Sequence, residues 1–344
     1  MNIQVIGGGI AGASIGYHLA KAGATVTVYD RADAGQATDV SAGIICPWVS
    51  QRRNKAWYQL VREGAKYYPA FINELEVLTN KSTGYQQTGA VLLFKDEKTQ
   101  QLAYERIKMK HEDAPEMGEL TLLTKEQLQQ IWPSLTTEYF GHHLSGGALV
   151  NGATLRDALK EGLEKLGSKW IKSGTQFSKD YDVRIYTGGA WGNELQRTVP
   201  VSHQKAQLLH FTMDMNQQLP VIMGLKTHYI ISFGGGQFAI GTTHEDTDSF
   251  DVTPSEEAIR ELKELAKSYF PNQQLRGFRT AIGLRPYTPN HLPVVQQIEE
   301  KTWVINGLGS SGLTSAPIIG RELAAYLMKQ PTEIDLTYYQ VGGE

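Results

Sequence analysis

Three glycines near the N-terminus have the spacing of a phosphate-binding turn. Gly7, Gly9 and Gly12 follow the apolar run at residues 3–6 and precede a stretch of helical periodicity. The first glycine permits a tight turn, the second lets backbone approach a pyrophosphate, and the third lets helix and strand pack closely. The N–H groups and the dipole at the start of the helix then favour an anion. This pattern predicts a dinucleotide-binding site.

An acidic residue follows at the position that such a site requires. Residues 25–29 predict a second strand, and Asp30 ends it eighteen residues after Gly12. A carboxylate there accepts hydrogen bonds from a ribose diol. It disfavours a dinucleotide with a phosphorylated ribose, although the neighbouring Arg31 weakens that argument. The turn and the acid together do not distinguish a flavin dinucleotide from a nicotinamide dinucleotide.

Arg285 is the residue most suited to binding a substrate. It lies in the apolar segment at residues 282–286, where a freely solvated arginine is disfavoured. A guanidinium is planar, always charged and two-pronged, so it matches a carboxylate. We therefore expect Arg285 to pair with a carboxylate, either that of a ligand or one in a structural salt bridge.

Composition limits the possible classes of protein. The 344 residues are 41% hydrophobic and 20% charged with a net charge of −3, which is typical of a globular chain and not of a nucleic-acid-binding one. The single cysteine, Cys46, excludes a disulfide framework and multi-cysteine metal sites, so we expect no metal and a reducing, cytoplasmic location. No secretory signal and no apolar run of about 18 residues is found, so no transmembrane segment is expected.

Periodicity predicts elements that hold these residues in place. Strands are expected at 3–6, 25–29, 182–186 and 302–305, with a strand or hairpin at 84–95 and a hairpin at 227–243 around the glycines at 234–236. Helices are expected from Ala11 to Gly23, at 55–77 with a bend or division at Gly64 and Pro69, after the capping boxes at Thr124 and Thr154, between Pro254 and Pro271, and at 313–328.

Five motifs in order along the chain carry a family resemblance. They are Gly7 to Gly12, Ala37-Thr38-Asp39-Val40-Ser41-Ala42-Gly43, Gly188-Gly189-Ala190-Trp191, Gly283-Leu284-Arg285-Pro286, and the cluster from Gly307 through Gly309 to Gly312. In this combination the sequence resembles the D-amino-acid oxidase and glycine oxidase family. The resemblance implies an α/β fold, in which a Rossmann-type FAD-binding domain is interleaved with an α+β substrate domain that contains a mainly antiparallel sheet. It places the FAD-binding domain at 1–80, 145–200 and 286–344, and the substrate domain at 81–144 and 201–285.

The same resemblance implies the residues of the site. FAD is expected to bind without a covalent link, because related sarcosine oxidases attach it through a cysteine near the Arg285 segment and none stands there. Arg285 and Tyr229 are expected to hold the substrate carboxylate. Donors before the last helix would stabilise the negative charge on a reduced flavin. The expected cofactor contacts are Gly7, Gly9, Ile10, Ala11, Gly12, Asp30, Arg31, Thr38, Ser41, Ala42, Gly43, Gly188, Gly189, Trp191, Arg285, Gly309, Ser311, Gly312, Leu313 and Thr314.

The expected activity is oxidative deamination of a small amino acid or secondary amine. Oxygen or another acceptor would reoxidise the flavin, and the enzyme could form a homo-oligomer. The alternatives are a dehydrogenase that passes electrons to a quinone or carrier protein, a nicotinamide-dependent dehydrogenase, and a flavin-binding protein without turnover.

Several residues keep open assignments. His228, His244 and His291 have no metal-ligand spacing and are not expected to act in catalysis. Arg52, with Arg53 and Lys55, equally fits an acidic substrate or the flank of a helix. Contacts to the adenine from Gln176 are left open.

Overall fold

The computed structural model describes residues 1–174, 176–225 and 227–341. Its strands are β1 (Asn2–Ile6), β2 (Thr25–Asp30), β3 (Ile44–Ile45), β4 (Ala90–Phe94), β5 (Leu120–Leu123), β6 (Phe140–Leu144), β7 (Ala148–Leu149), β8 (Lys169–Lys172), β9 (Val183–Tyr186), β10 (Ser202–Thr212), β11 (Val221–Met223), β12 (Tyr229–Gly234), β13 (Gln237–Gly241), β14 (Glu245–Thr247), β15 (Arg276–Tyr287), β16 (Val294–Glu299) and β17 (Thr302–Asn306). Its helices are α1 (Ile10–Lys21), α2 (Ala37–Val40), α3 (Lys55–Thr79), α4 (Glu97–His111), α5 (Lys125–Ile131), α6 (Gly152–Lys165), α7 (Gly192–Leu195), α8 (Glu256–Tyr269) and α9 (Gly312–Leu327).

One sheet is parallel except at one edge. Its order is β16-β17-β9-β1-β2-β8, and only the β16–β17 pair is antiparallel. Its central strand β1 has Ile3 and Val5 fully buried, as expected for a strand with both faces covered. The carboxyl ends of β1, β9 and β17 meet at one edge, which is where such sheets bind ligands.

The other large sheet is mainly antiparallel. Its path is β14-β10-β13-β12-β11-β4-β6-β5, with β15 paired to β10, and only β4 and β11 are parallel. The predicted hairpin at 227–243 is present as β12 and β13, which turn at the positive-φ glycines 234–236. This sheet carries Tyr229 and Arg285 on β12 and β15. The predicted α/β class with a parallel and a mainly antiparallel sheet is therefore confirmed.

The chain passes repeatedly between the two sheets. The parallel sheet takes strands from 2–30, 169–186 and 294–306, and the antiparallel one from 90–144 and 202–287. This alternation agrees with an interleaved arrangement, while the domain boundaries themselves stay a prediction. Among the described residues, no helix is long and apolar enough to cross a membrane.

Helix α3 differs from its prediction because it is neither bent into two elements nor divided. It runs unbroken from Lys55 to Thr79 across Pro69. A proline in a helix removes one hydrogen bond. Packing outweighs that loss, since Tyr68 and Phe71 on either side of it are almost fully buried. Gly64 allows α3 to pack closely against α9, because a Cβ there would lie 2.2 Å from the carbonyl oxygen of Thr314.

Of the two alternatives predicted for residues 84–95, the strand is present as β4 and the hairpin is not, because β4 pairs with the distant β6 and β11. One other local prediction needs correction. The helix predicted to begin at Thr154 starts at Gly152, with Asn151 as its cap accepting from the Thr154 amide at 3.0 Å. An asparagine caps as well as a threonine does. The capping box at Thr124 is confirmed by α5.

Two buried histidines predict how stability depends on pH. Burial lowers the pKa of His18 and of His142 from 6.5 to about 4. Below pH 6.5 these histidines bind protons in the unfolded chain but stay neutral in the folded chain, so the free energy of unfolding falls as pH falls. We expect the free energy of unfolding to drop by up to about 1.4 kcal/mol per pH unit for each histidine between pH 6.5 and 5. Urea titrations at several pH values measure this slope; His142→Phe should lower it by the contribution of that histidine, and a flat profile would contradict the prediction.

Candidate active site

A cavity of about 700 Å³ opens at the carboxyl edge of the parallel sheet. The ends of β1, β2, β9 and β17 line one part of it, and β10, β12 and β15 of the antiparallel sheet line another. Every residue predicted to contact cofactor or substrate lines this cavity except Gly12. One cavity therefore brings together residues that are more than 300 positions apart, although their contacts to a ligand stay predictions.

The glycine turn has the backbone geometry that the spacing requires. Gly7 has φ of +112°, and a Cβ there would lie 2.4 Å from the carbonyl oxygen of Thr187. Gly12 stands behind the cavity, where a Cβ would lie 1.8 Å from the carbonyl oxygen of Gly7. Helix α1 starts at Ile10, whose amide donates to the Thr38 hydroxyl at 2.9 Å. The turn thus presents the start of a helix to the cavity.

Asp30 is held in place by hydrogen bonds and can still accept further ones. Its Oδ1 accepts from the amide of Gly8 at 3.2 Å and from the side chain of Gln36 at 3.1 Å. A carboxylate has about four lone-pair sites, so it can still accept from a ribose diol. Arg31 pairs with Asp33 at 2.7 Å and with Glu194 at 2.6 Å. Its charge is therefore already engaged by two carboxylates and is poorly placed to receive a ribose phosphate.

The start of α9 forms another wall of the cavity. Trp57 donates from Nε1 to the Ser311 hydroxyl at 3.1 Å, and the Tyr68 hydroxyl donates to the carbonyl of Leu313 at 2.5 Å. Asn306 donates to the carbonyl of Gly189 at 3.0 Å, which ties the loops after β17 and β9 together. These bonds fix the last helix with its N-terminal end toward the cavity, where it can stabilise negative charge.

Arg285 and Tyr229 lie together at the antiparallel sheet. Arg285 Nη1 donates to His244 Nδ1 at 2.8 Å, so that nitrogen of His244 carries no proton. Burial lowers the pKa of Arg285, and burial raises that of Tyr229, whereas the nearby Arg285 charge opposes the latter shift. Within the described part of the chain, no carboxylate forms a salt bridge with Arg285. The alternative prediction of a structural salt bridge for Arg285 is therefore not supported.

Sequence reasoning missed several residues of the cavity. Gly8 and Gln36 support Asp30, and His244 supports Arg285, through contacts that no local spacing reveals. Arg52 also lines the cavity, which favours binding of an acidic substrate over a place on the flank of a helix. Cys46 lines it as well; it is buried, and burial raises the pKa of its thiol to about 12, so it is not a reactive thiolate.

Comparison with known proteins identifies the family. A model of the DAO family, described as FAD dependent oxidoreductase, matches residues 2–326. The chain belongs to this family. The predicted resemblance and the predicted cofactor, FAD, are thereby confirmed.

Individual relatives of this DAO-family chain agree with that assignment. It is 40% identical to the uncharacterised oxidoreductase YurR of Bacillus subtilis, over 98% of each chain. It is 25% identical to the glycine oxidase of Pseudomonas aeruginosa, over 99% of this chain and 98% of the other. The crystal structure of iminodiacetate oxidase from Chelativorans sp. BNC1 superposes with a TM-score of 0.92 at 28% identity, over 98% of each chain. This chain is thus an FAD-dependent oxidoreductase similar to amino-acid and amine oxidases.

The cavity of this DAO-family chain fits FAD. The tight turn at Gly7, the start of α1 and the remaining hydrogen-bond capacity of Asp30 suit a pyrophosphate and its ribose. The start of α9 would face the part of the flavin that becomes negative on reduction. The sequence segment around Arg285 contains no cysteine, and the one cysteine of the chain, Cys46, is not a reactive thiolate, so we expect non-covalent binding.

Proposed function

We propose that the protein oxidises an amino acid or secondary amine whose carboxylate binds to Arg285 and Tyr229. The observation that carries this proposal is the arginine itself. It is partly buried, it lines the cavity, and among the described residues it has no carboxylate partner. A partly buried arginine destabilises the folded protein unless an anion pairs with it. A planar carboxylate matches the two parallel N–H donors of the guanidinium best.

The proposed reaction breaks the Cα–H bond beside that carboxylate. Bound FAD supplies an acceptor at flavin N5 for the two electrons and the hydrogen of a hydride. Arg285 and Tyr229 orient the substrate so that Cα–H faces this acceptor, and fixed orientation of this kind supplies much of the rate. The nitrogen loses a proton, and the resulting imine is hydrolysed to an oxo acid and ammonia or an amine. Oxygen then takes up two electrons and two protons to give hydrogen peroxide.

No side-chain base is required in this proposal, because the substrate amine reacts in its neutral form. His244 is the imidazole that lies against Arg285, and its Nδ1 is occupied by the arginine. Burial lowers the pKa of His244, and the Arg285 charge lowers it further. His244 therefore stays neutral at pH 7 and acts as a positioning residue for the guanidinium.

The similar proteins support an amine substrate that carries a carboxylate. Glycine and iminodiacetate, which appear in the names of two of them, are both such amines. The competing proposal is a dehydrogenase that reduces a quinone or carrier protein with the same substrates. A flavin-binding protein without turnover is the remaining alternative, and a partly buried Arg285 that lines the cavity and has no carboxylate partner among the described residues argues against it.

Absorption spectroscopy tests the proposed function directly. We expect the purified protein to be yellow and to release its FAD into the supernatant on acid precipitation. Mixed without oxygen with glycine, D-amino acids, sarcosine, proline and acidic amines, the flavin should bleach with at least one of them. Air should restore the colour with one peroxide formed per turnover. Bleaching without peroxide would favour the dehydrogenase, and a flavin that no amine reduces would contradict the proposal.

A further inference from the structure

A further cation, Arg52, lines the cavity that contains Arg285, and unlike Arg31 it has no carboxylate partner among the described residues. It belongs to the loop between β3 and α3, and its guanidinium lies 4.7 Å from the centre of the Trp57 ring. Trp57 is itself buried, and it donates to Ser311 in the turn before α9. An arginine stacked on a fixed aromatic ring gains a cation–π attraction and loses freedom of movement. The Arg52 guanidinium is thus held beside the cavity, and its N–H groups can still donate hydrogen bonds to a ligand there.

The loop that carries Arg52 is fixed by bonds from outside the cavity. Lys110 donates from Nζ to the carbonyl oxygens of Trp48 and Ser50, at 2.8 Å in each case. The amide of Arg52 donates to the Ser50 hydroxyl at 3.2 Å. Asn54 then caps α3 by accepting from the Trp57 amide at 2.8 Å. This network orders the loop without using the Arg52 guanidinium, which keeps its donors for another partner.

The two arginines have no negative partner within the described parts of the chain. No salt bridge reaches Arg52 or Arg285 there. The acidic residues that line the cavity are Asp30 and Asp33, and they are engaged by other groups at the glycine turn and at Arg31.

Instead, the charge of Arg52 acts on Arg285. Burial, and then the charge of Arg52, lower the pKa of Arg285. Two like charges that share a cavity repel, and an anionic ligand that reaches both would relieve the repulsion.

We propose that the substrate is an amine with two carboxylates, of which Arg285 and Tyr229 bind the one beside the reacting carbon and Arg52 binds the other. This inference rests on the proposed function, since it extends the same site. Either an amino acid with an acidic side chain or an N-carboxymethyl amine has this chemistry. Arg52 is then the residue that selects a dicarboxylate over a monocarboxylate.

Binding of two unreactive acids to the FAD-loaded protein tests the inference without turnover. Calorimetry gives the Kd of glutarate, which has two carboxylates, and of butyrate, which has one. We expect glutarate to bind at least about tenfold more tightly at low salt, because a charge-assisted hydrogen bond to a partly exposed arginine is added. Arg52→Ala should remove this preference and leave the Kd of butyrate within about twofold. Arg53→Ala removes the same charge from an exposed neighbour that does not line the cavity, and it should preserve the preference.

The two proposals fail in different ways in this experiment. If Arg52→Ala and Arg53→Ala both keep the preference for glutarate, the second-carboxylate inference is wrong and the proposed function stands. If Arg285→Ala leaves butyrate binding unchanged, the proposed function is wrong as well.

Turnover then separates the two kinds of dicarboxylate. D-glutamate and D-aspartate represent acidic side chains, compared with D-norvaline and D-alanine. Iminodiacetate represents N-carboxymethyl amines, compared with sarcosine. The preferred class should lose about tenfold in kcat/KM on Arg52→Ala, and the monocarboxylate of the same pair should not. An equal loss for both members of each pair would overturn the assignment of Arg52.

Discussion

Arg285→Ala should lower kcat/KM for the substrate by about 100-fold to 1,000-fold while the protein remains folded and yellow. Removing one partner of a partly buried charge pair costs about 2–5 kcal/mol, and about 1.4 kcal/mol corresponds to a factor of ten. The loss should fall on KM and kcat together, since the same contact binds the carboxylate and orients Cα–H. Steady-state kinetics, with flavin content and melting temperature recorded for each variant, measure it.

Arg279→Ala is the matched control for this experiment. Arg279 lies on the same strand, β15, and is exposed, so its removal changes the same charge away from the cavity. We expect kcat/KM to stay within about threefold of the parent. Arg285→Lys keeps the charge but loses the two-pronged donor, and it should recover only part of the activity. Equal activities for Arg279→Ala and Arg285→Ala would exclude carboxylate binding by Arg285.

The glycine turn could be predicted because its causes are local. Strand, turn, helix and the acid after the next strand lie within thirty consecutive residues. A Cβ at Gly12 would clash with the carbonyl oxygen of Gly7 inside the motif, and one at Gly7 would clash with that of Thr187, which directly follows the neighbouring strand β9. Asp30 could be predicted for the same reason.

The partners of Arg285 could not be predicted from the sequence. His244 meets it only because β14 and β15 both pair with β10. Arg52 shares its cavity because of a loop whose course depends on Lys110 of the distant helix α4. Without the three-dimensional pairing, a basic residue before a helix is as consistent with a solvated flank as with a binding site. The undivided α3 shows the same limit, since its continuation through Pro69 depends on the tertiary packing that buries Tyr68 and Phe71.

Gly12→Ala should abolish stable FAD binding. A Cβ at this position would lie 1.8 Å from the carbonyl oxygen of Gly7 and 2.6 Å from Oγ1 of Thr187. Backbone cannot yield as a flexible side chain does, so α1 must move away from β1 and take its N-terminus out of line with the pyrophosphate. We expect the purified variant to lack the yellow colour and to bind added FAD at least about 100-fold more weakly by fluorescence titration.

Gly23→Ala distinguishes this steric effect from the general loss of stability when a glycine at an end of α1 becomes alanine. Gly23 follows the C-terminal end of the helix at φ of +89°, and a Cβ there would meet nothing within 4 Å. Its replacement should cost about 1–2 kcal/mol of backbone strain and leave FAD bound. If both variants lost FAD equally, general destabilisation would explain the loss. If only Gly12→Ala lost it, the close approach of helix and strand would be what makes the turn a cofactor site, although Gly12 itself does not line the cavity.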